Sequence, residues 1–300
     1  MLPEAKTHDL LYVSTDNEPN ASVNVYELPN EKLVGTLTGF LHAVGGQCVD
    51  SASDVFIGSW PDGSYGSGTI YEYAHGGTSP IATLDAPGPV YNCSVDQTTG
   101  NLAVVGPNLN NPHANYGSLA IYIGAKGTPK VFYSSTFSMN GCSYDDKGNL
   151  YLSVYSVRAE EYGLARLATG SSSIKAIDLE TPVYAGMYFN PSVRWNGRHM
   201  TVSSFPANDE RGESGPISVY QLKFSGAHAA VIATTRLNSP KNFNRSPYWI
   251  AGKYAAGIYN YRGYGRVGLW SYPQGGTPVR GVKVTDAGTL PGLTISVAPH

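Results

Sequence analysis

The stretch Gly46-Gln47-Cys48-Val49-Asp50 is followed by Asp54-Val55-Phe56-Ile57-Gly58, then Gly68-Thr69-Ile70-Tyr71-Glu72-Tyr73. It closes on Gly76-Gly77-Thr78-Ser79-Pro80-Ile81-Ala82-Thr83-Leu84. Glycine, aspartate and proline turns separate four short runs, each with the length and apolar content of a strand. The same order returns from Cys93-Ser94-Val95-Asp96 through Gly127-Thr128-Pro129-Lys130-Val131. It returns again from Cys142-Ser143-Tyr144-Asp145 through Ser173-Ile174-Lys175-Ala176-Ile177. A looser copy starts at Pro191-Ser192-Val193-Arg194-Trp195, and a fifth at Tyr248-Trp249-Ile250-Ala251. A unit of about 48 residues with four strands is the signature of a β-propeller blade. Runs such as Val55-Phe56-Ile57 are apolar without alternation, as expected of a sheet covered on both faces.

A sixth copy is split between the chain ends. Leu10-Leu11-Tyr12-Val13-Ser14, Val23-Asn24-Val25-Tyr26-Glu27 and Lys32-Leu33-Val34-Gly35-Thr36 match the second, third and fourth strands of the unit. Leu293-Thr294-Ile295-Ser296-Val297 supplies the missing innermost strand. The expected fold is therefore all-β: a six-bladed β-propeller with four antiparallel strands per blade, its ring closed by the C-terminal strand joining the N-terminal blade. The expected organisation is a single domain over 1–300, with blades near 8–38 plus 290–299, 42–86, 89–135, 138–180, 188–236 and 245–285.

Charged residues are 14% of the chain, against about 25% in an average soluble domain. Twenty-two tyrosines accompany a polar, uncharged surface composition, which suits an extracellular protein. A net charge of −2 leaves no basic stripe and argues against a nucleic-acid partner. No apolar run approaches the roughly 20 residues of a membrane span. Met1-Leu2-Pro3-Glu4-Ala5-Lys6 lacks the apolar core of a signal peptide. The expectation is a mature chain that is secreted, periplasmic or on the cell surface. Cys48, Cys93 and Cys142 all fall in innermost strands, one blade apart. An odd count at that spacing does not read as a disulfide framework, so three buried thiols are expected. A metal site on these thiolates would need their side chains to converge, and no paired Cys or His spacing supports one.

Loops before the innermost strands and between second and third strands collect on one end of such blades. Here they are rich in amide, aromatic and charged side chains. The residues expected to bind ligand are His42, Trp60, Asn92, His113, Tyr116, Asn140, Asn190, Asn244, Arg245, Tyr261 and Arg262. Asparagine recurs at the start of the innermost strands, where an amide either meets a ligand or satisfies turning backbone. No cofactor is expected. If a divalent cation occupies the central channel, Asn92, Asn140 and Asn190 are its expected ligands. Tyr259, Tyr261 and Tyr264 with Arg262 could stack on a sugar or an aromatic ligand, or anchor a protein interface. Glu160-Glu161 and Asp209-Glu210 pair carboxylates in long loops, but Arg158 and Arg211 stand beside them, which reads as solvated ion pairs. Neither His42 nor His113 has a serine or aspartate partner in sequence.

Gly39-Phe40 with Gly46-Gln47-Cys48-Val49-Asp50, Tyr71-Glu72-Tyr73-Ala74-His75-Gly76-Gly77-Thr78, Cys93-Ser94-Val95-Asp96-Gln97-Thr98-Thr99-Gly100-Asn101-Leu102 and Gly141-Cys142-Ser143-Tyr144-Asp145-Asp146-Lys147-Gly148-Asn149-Leu150 carry a resemblance. They look like a family of uncharacterised secreted bacterial six-bladed propellers, similar to NHL-repeat and gluconolactonase-like propellers. The resemblance is strongest over 33–153 and implies fold and export, not an activity. Gluconolactonase-like enzymes hold a divalent cation with a glutamate from an innermost strand, and this chain offers amides there instead. Lyases of the NHL type hold zinc on channel histidines, and only His42 stands near such a place.

The expected function is an exported binding module using the loop face to hold a small molecule, glycan or protein partner. The competing class is a metal-assisted hydrolase or lyase of the lactonase type. A third is a surface structural protein that self-associates through its tyrosines. Whether the chain is an enzyme stays open at this point, with the absence of a convergent catalytic set leaning against it. Its oligomeric state is equally open.

Overall fold

A computed structural model describes residues 1–15, 21–40, 44–60, 67–107, 117–156, 159, 161–180, 192–204, 216–238, 243–261, 264–284 and 292–299. The side chains of 204, 243–247, 260, 261 and 264 are not among those described. These residues form an all-β, propeller-like fold. Among them there is no α-helix, and no helix long and apolar enough to cross a membrane.

The described residues fall into two compact units, 1–134 with 285–300, and 135–284. Both boundaries lie between sequence repeats. In the first unit the strands are β1 (Leu10–Thr15), β2 (Ala21–Glu27), β3 (Lys32–Phe40), β4 (Val44–Val49), β5 (Val55–Ser59), β6 (Gly68–Tyr73) and β7 (Ala82–Ala86). Next come β8 (Asn92–Val95), β9 (Leu102–Pro107), β10 (Gly117–Tyr122) and β11 (Lys130–Tyr133). The second unit holds β12 (Phe137–Tyr144), β13 (Leu150–Ser156), β14 (Glu161–Leu167), β15 (Ile174–Leu179), β16 (Val193–Trp195) and β17 (Met200–Ser204). It continues with β18 (Ile217–Ser225), β19 (His228–Leu237), β20 (Phe243–Ala251), β21 (Tyr254–Tyr261), β22 (Tyr264–Ser271) and β23 (Arg280–Lys283). The last strand, β24 (Leu293–Ser296), belongs to the first unit.

The first unit contains the sheets β24-β1-β2-β3, β4-β5-β6-β7 and β8-β9-β10-β11. As expected, the C-terminal strand is the innermost strand of the N-terminal sheet, with Leu11 opposite Ile295 and Val13 opposite Leu293. The second unit contains β20-β21-β22-β23 and an eight-stranded sheet, β12-β13-β14-β15-β19-β18-β17-β16. Six separate blades were expected there and before, whereas two four-stranded meanders share this one sheet. The cause is edge pairing. The outer strands β15 and β19 run parallel, with Asp178 opposite His228 and Leu179 opposite Ala229. Asp178 N donates to Ala227 O at 2.8 Å, so two exposed edges satisfy each other.

Aspartate and asparagine shape the first turn of successive repeats. Asp50 Oδ1 accepts the amides of Ala52 and Asp54, and Asp145 Oδ1 those of Lys147 and Asn149. Asn196 Oδ1 accepts from Arg198 N and His199 N. Each is a side chain standing in for a backbone acceptor, which closes the hairpin between first and second strands.

Tyrosine hydroxyls stitch neighbouring sheets. Tyr12 accepts from Gly76 N at 3.1 Å, and Tyr122 donates to Asp85 O at 2.7 Å. In the second unit Tyr248 shares a 2.6 Å bond with Thr201, and Tyr272 accepts from Asn196 Nδ2 at 2.7 Å. A buried ring supplies apolar area while its hydroxyl finds a partner across the seam. Burial raises the Tyr12 phenol to about 12. Tyr259, expected on a loop rim, is instead core: it lies in β21, is 4% exposed and meets Trp270 edge-on at 6.2 Å.

The cysteines depart from the expectation of three thiols. Cys48 in β4 and Cys93 in β8 form a disulfide, with Cα atoms 5.6 Å apart. Measured from the turn residue of its repeat, Cys48 stands two before Asp50 and Cys93 three before Asp96. A strand alternates its faces with every residue, so the two side chains point in opposite senses and meet between adjacent sheets. Cys142, three before Asp145, is a buried thiol outside any disulfide, as expected. Burial pushes it up to about 12, against a smaller opposing pull from Arg194.

Candidate functional site

The loop-bearing end of the innermost strands is where the sequence concentrates polar and aromatic residues. In the first unit, Trp60 follows β5 and donates its indole Nε1 to Val90 O at 3.1 Å. Gly46 N donates to the same carbonyl, also at 3.1 Å. Two donors on one acceptor pin the segment leading into β8 against the start of β4. The Trp60 ring lies 5.3 Å from that of Tyr91, tilted by 34°. Both rings are half-buried, so together they form a rigid platform with an accessible part. Gly46 permits the approach: a Cβ there would sit 2.5 Å from Asn92 Cα. Asn92 itself is buried at the first position of β8, opposite Val105.

Beside this platform Gln47 Nε2 donates to Ser14 Oγ at 3.1 Å, and Ser14 Oγ donates to Gly292 O at 3.0 Å. Gln47 is 1% exposed, and its Oε1 has no hydrogen-bond partner among the described residues.

Within each unit, innermost strands break register toward their N-terminal ends. In β4 the pairing jumps from Val44–Ser59 to Gln47–Ile57. In the second unit β12 passes from Met139–Val154 to Gly141–Ser153, which leaves Asn140 as the extra residue of a bulge. In β20 it passes from Phe243–Tyr259 to Tyr248–Gly257, a break that contains Asn244 and Arg245. Bulges of this kind re-aim side chains and gather at sheet rims near binding sites. Nearby, Tyr155 and Tyr162 pair across β13 and β14 with rings 4.7 Å apart.

The expected ligand residues thus divide. Trp60 and Asn92 lie together in the first unit, and Asn140 lies in the second. Asn244, Arg245 and Tyr261 have backbones in β20 and β21 rather than in loops, with side chains outside the described residues. His42, His113, Tyr116, Asn190 and Arg262 lie wholly outside them. Tyr91, which is not among the expected ligand residues, is the aromatic companion of Trp60. An aromatic residue immediately before an innermost strand was the signal for it.

Metal-capable carboxylates converge elsewhere. Asp50, Asp54 and Glu72 offer oxygens all within 4.8 Å of one another, at the opposite end of the β4–β7 sheet. Burial, then the Asp50 carboxylate, raises Asp54 above its ordinary range. Burial, then Asp54 and Asp50, does the same to Glu72. Three acids in one partly buried place repel one another's charge. His75 beside them is structural, bonded to His8 O at 3.0 Å and to Ser296 Oγ at 2.7 Å.

No family model matches the chain, and no curated protein matches it significantly. Solved structures do. TolB from Acinetobacter baumannii superposes with a TM-score of 0.64 at 10% identity, over 98% of this chain and 68% of that one. Kuenenia stuttgartiensis hydrazine synthase gives 0.56 at 11% identity, over 90% of this chain and 75% of that one. At such identities the likeness concerns architecture alone. With the repeated four-stranded meanders, it identifies the chain as a β-propeller.

Proposed function

We propose that this protein is an exported six-bladed propeller that binds a neutral glycan at its loop-bearing end. The observation that carries the reading is the Trp60–Tyr91 platform, held by two hydrogen bonds to Val90 O. A rigid, half-exposed aromatic pair offers its face to the C–H surface of a sugar ring at little entropic cost. The register break of β4, at the same end of its sheet as the platform, supports a surface shaped for contact rather than for packing.

Export is supported by the Cys48–Cys93 disulfide, since such bonds persist in oxidising compartments. The low charge content agrees. Membership of the NHL-like group and a six-bladed ring are part of this proposal, supported by the six sequence repeats. The competing hydrolase or lyase reading, with a divalent cation on Asn92, Asn140 and Asn190, rests on sequence alone. Asn92 and Asn140 belong to different compact units, and Asn190 is not among the described residues.

The test is a panel of immobilised neutral and charged glycans probed with the full chain, with and without EDTA. Binding to neutral glycans that survives EDTA supports the reading. Turnover of a lactone or polysaccharide that EDTA abolishes would replace it with the enzyme reading. Binding of no glycan at all would overturn it.

A further inference from the structure

A groove lies at the other end of the second unit. The hairpin turn between β12 and β13, the turn between β16 and β17, and the ends of β14 and β18 enclose a groove of about 290 Å³. Its cationic side chains are Lys147, Arg166, Arg198 and Lys223. The whole chain has only 20 lysines and arginines, so four in one small groove is a concentration, in a protein of net charge −2. None of the four forms a salt bridge with a carboxylate among the described residues.

Two acids share the groove and offset only part of the charge of its four cations. Asp145 is 9% exposed and committed to its turn: Oδ1 accepts two backbone amides, and Oδ2 accepts Asn149 Nδ2 at 2.9 Å. Asp146 is exposed. His199 adds a half-buried imidazole. The wall is aromatic. Tyr151 and Phe224 pack with rings 4.7 Å apart, and Trp195 is half-buried beside them. Arg166 is half-buried and stands directly opposite Tyr151 across β13 and β14, a placement that limits its freedom before any ligand arrives. A pre-oriented guanidinium is the side chain best suited to a planar carboxylate or to phosphate oxygens. The volume lies at the lower edge of small-ligand sites, about one sugar in size.

We propose that this groove binds a small anionic sugar, its carboxylate or phosphate held by Arg166 and Arg198 and its ring resting on the Trp195–Phe224 wall. The site is separate from the loop-end reading and does not depend on it. It takes a different charge class of ligand on different residues.

Calorimetric titration of the full chain tests it, with galacturonate, glucose 6-phosphate, inorganic phosphate and glucose as probes. At least one anionic sugar binds at least about tenfold more tightly than glucose, and about 0.5 M NaCl weakens it. Galacturonate alone assigns the group as a carboxylate, and glucose 6-phosphate alone as a phosphate. Arg198→Gln with Lys223→Gln changes two exposed side chains, keeps the melting midpoint, and lowers affinity about tenfold. Arg166→Gln lowers it further. Trp60→Ala leaves it unchanged, which separates failure here from failure at the loop end. Glucose binding as tightly as the anionic sugars would overturn the proposal. So would a double variant that binds like the native protein, or no binding by any probe. Inorganic phosphate binding as tightly as either sugar would overturn the role of the aromatic wall.

Discussion

Glu72 shows how a single side chain is held against its preference. It sits on β6 beside Asp54 and Asp50, and burial and those charges raise its pKa. The folded protein therefore binds that proton more tightly than the unfolded chain does. Stability is lost as pH rises through the window from 4.5, the ordinary glutamate value, up to the raised folded value. Glu72→Gln removes the loss. Its melting midpoint at pH 7 rises above the native protein's, by an amount worth no more than about 1 kcal/mol because the group is partly solvated. Its stability also becomes flatter across that window. An unchanged midpoint and slope in thermal melts from pH 4 to 7 would show that the cluster is relaxed.

The cysteines carry a second prediction at this scale. Denatured without reductant, the chain presents one reactive thiol, Cys142, and none while folded, since burial holds that thiol at about 12. Three reactive thiols would contradict the structure. Cys48→Ser costs about 2–4 kcal/mol in chemical denaturation. This pairing was hidden in the sequence for a reason that lies in strand geometry. The one-residue offset between Cys48 and Cys93 places them on facing sides of neighbouring strands, and it becomes visible only once the turn aspartates fix the register. The repeat before Cys142 carries Ser94 where the repeat before Cys93 carries Cys48.

Among the elements, β24 binds the two ends of the chain. Its four residues are buried, Ser296 Oγ donates to Ser53 O at 2.7 Å, and Ala298 N donates to Asp9 Oδ1 at 2.9 Å. Ending the chain at residue 291 exposes the edge of β1 and removes Leu293 and Ile295 from the core. The two apolar side chains alone are worth more than about 3 kcal/mol. The truncated protein therefore melts well below the full chain, and an equal midpoint would contradict the pairing. This strand was legible because its pattern completes a repeat that lacks one member. The parallel β15–β19 contact was not, because it joins edge strands from two repeats over only two residue pairs, too short to leave a pattern. The starts of innermost strands and the ends of second strands were read as loops, yet β20 and β21 reach Asn244 and Tyr261 through backbone pairing that side-chain type does not announce.

For the whole molecule, the repeat decides the fold and says little about the ligand. A blade seam can be closed by tyrosine hydroxyls, as at Tyr12 and Tyr122, so an abundance of tyrosine does not by itself mark a binding surface. Trp60 was legible as a candidate because it stands outside the strand pattern. The basic groove was not, because Lys147, Arg166, Arg198 and Lys223 come from four segments that only folding brings together. The central claim is that the loop-bearing end holds a neutral glycan on the Trp60–Tyr91 pair. The most direct measurement compares the native protein with Trp60→Ala and Tyr91→Ala, titrated with the neutral glycan that binds best, alongside their melting midpoints. The account predicts that each variant stays folded and loses at least about tenfold in affinity, the usual weight of a stacked aromatic anchor. Variants that bind as the native protein does would contradict it.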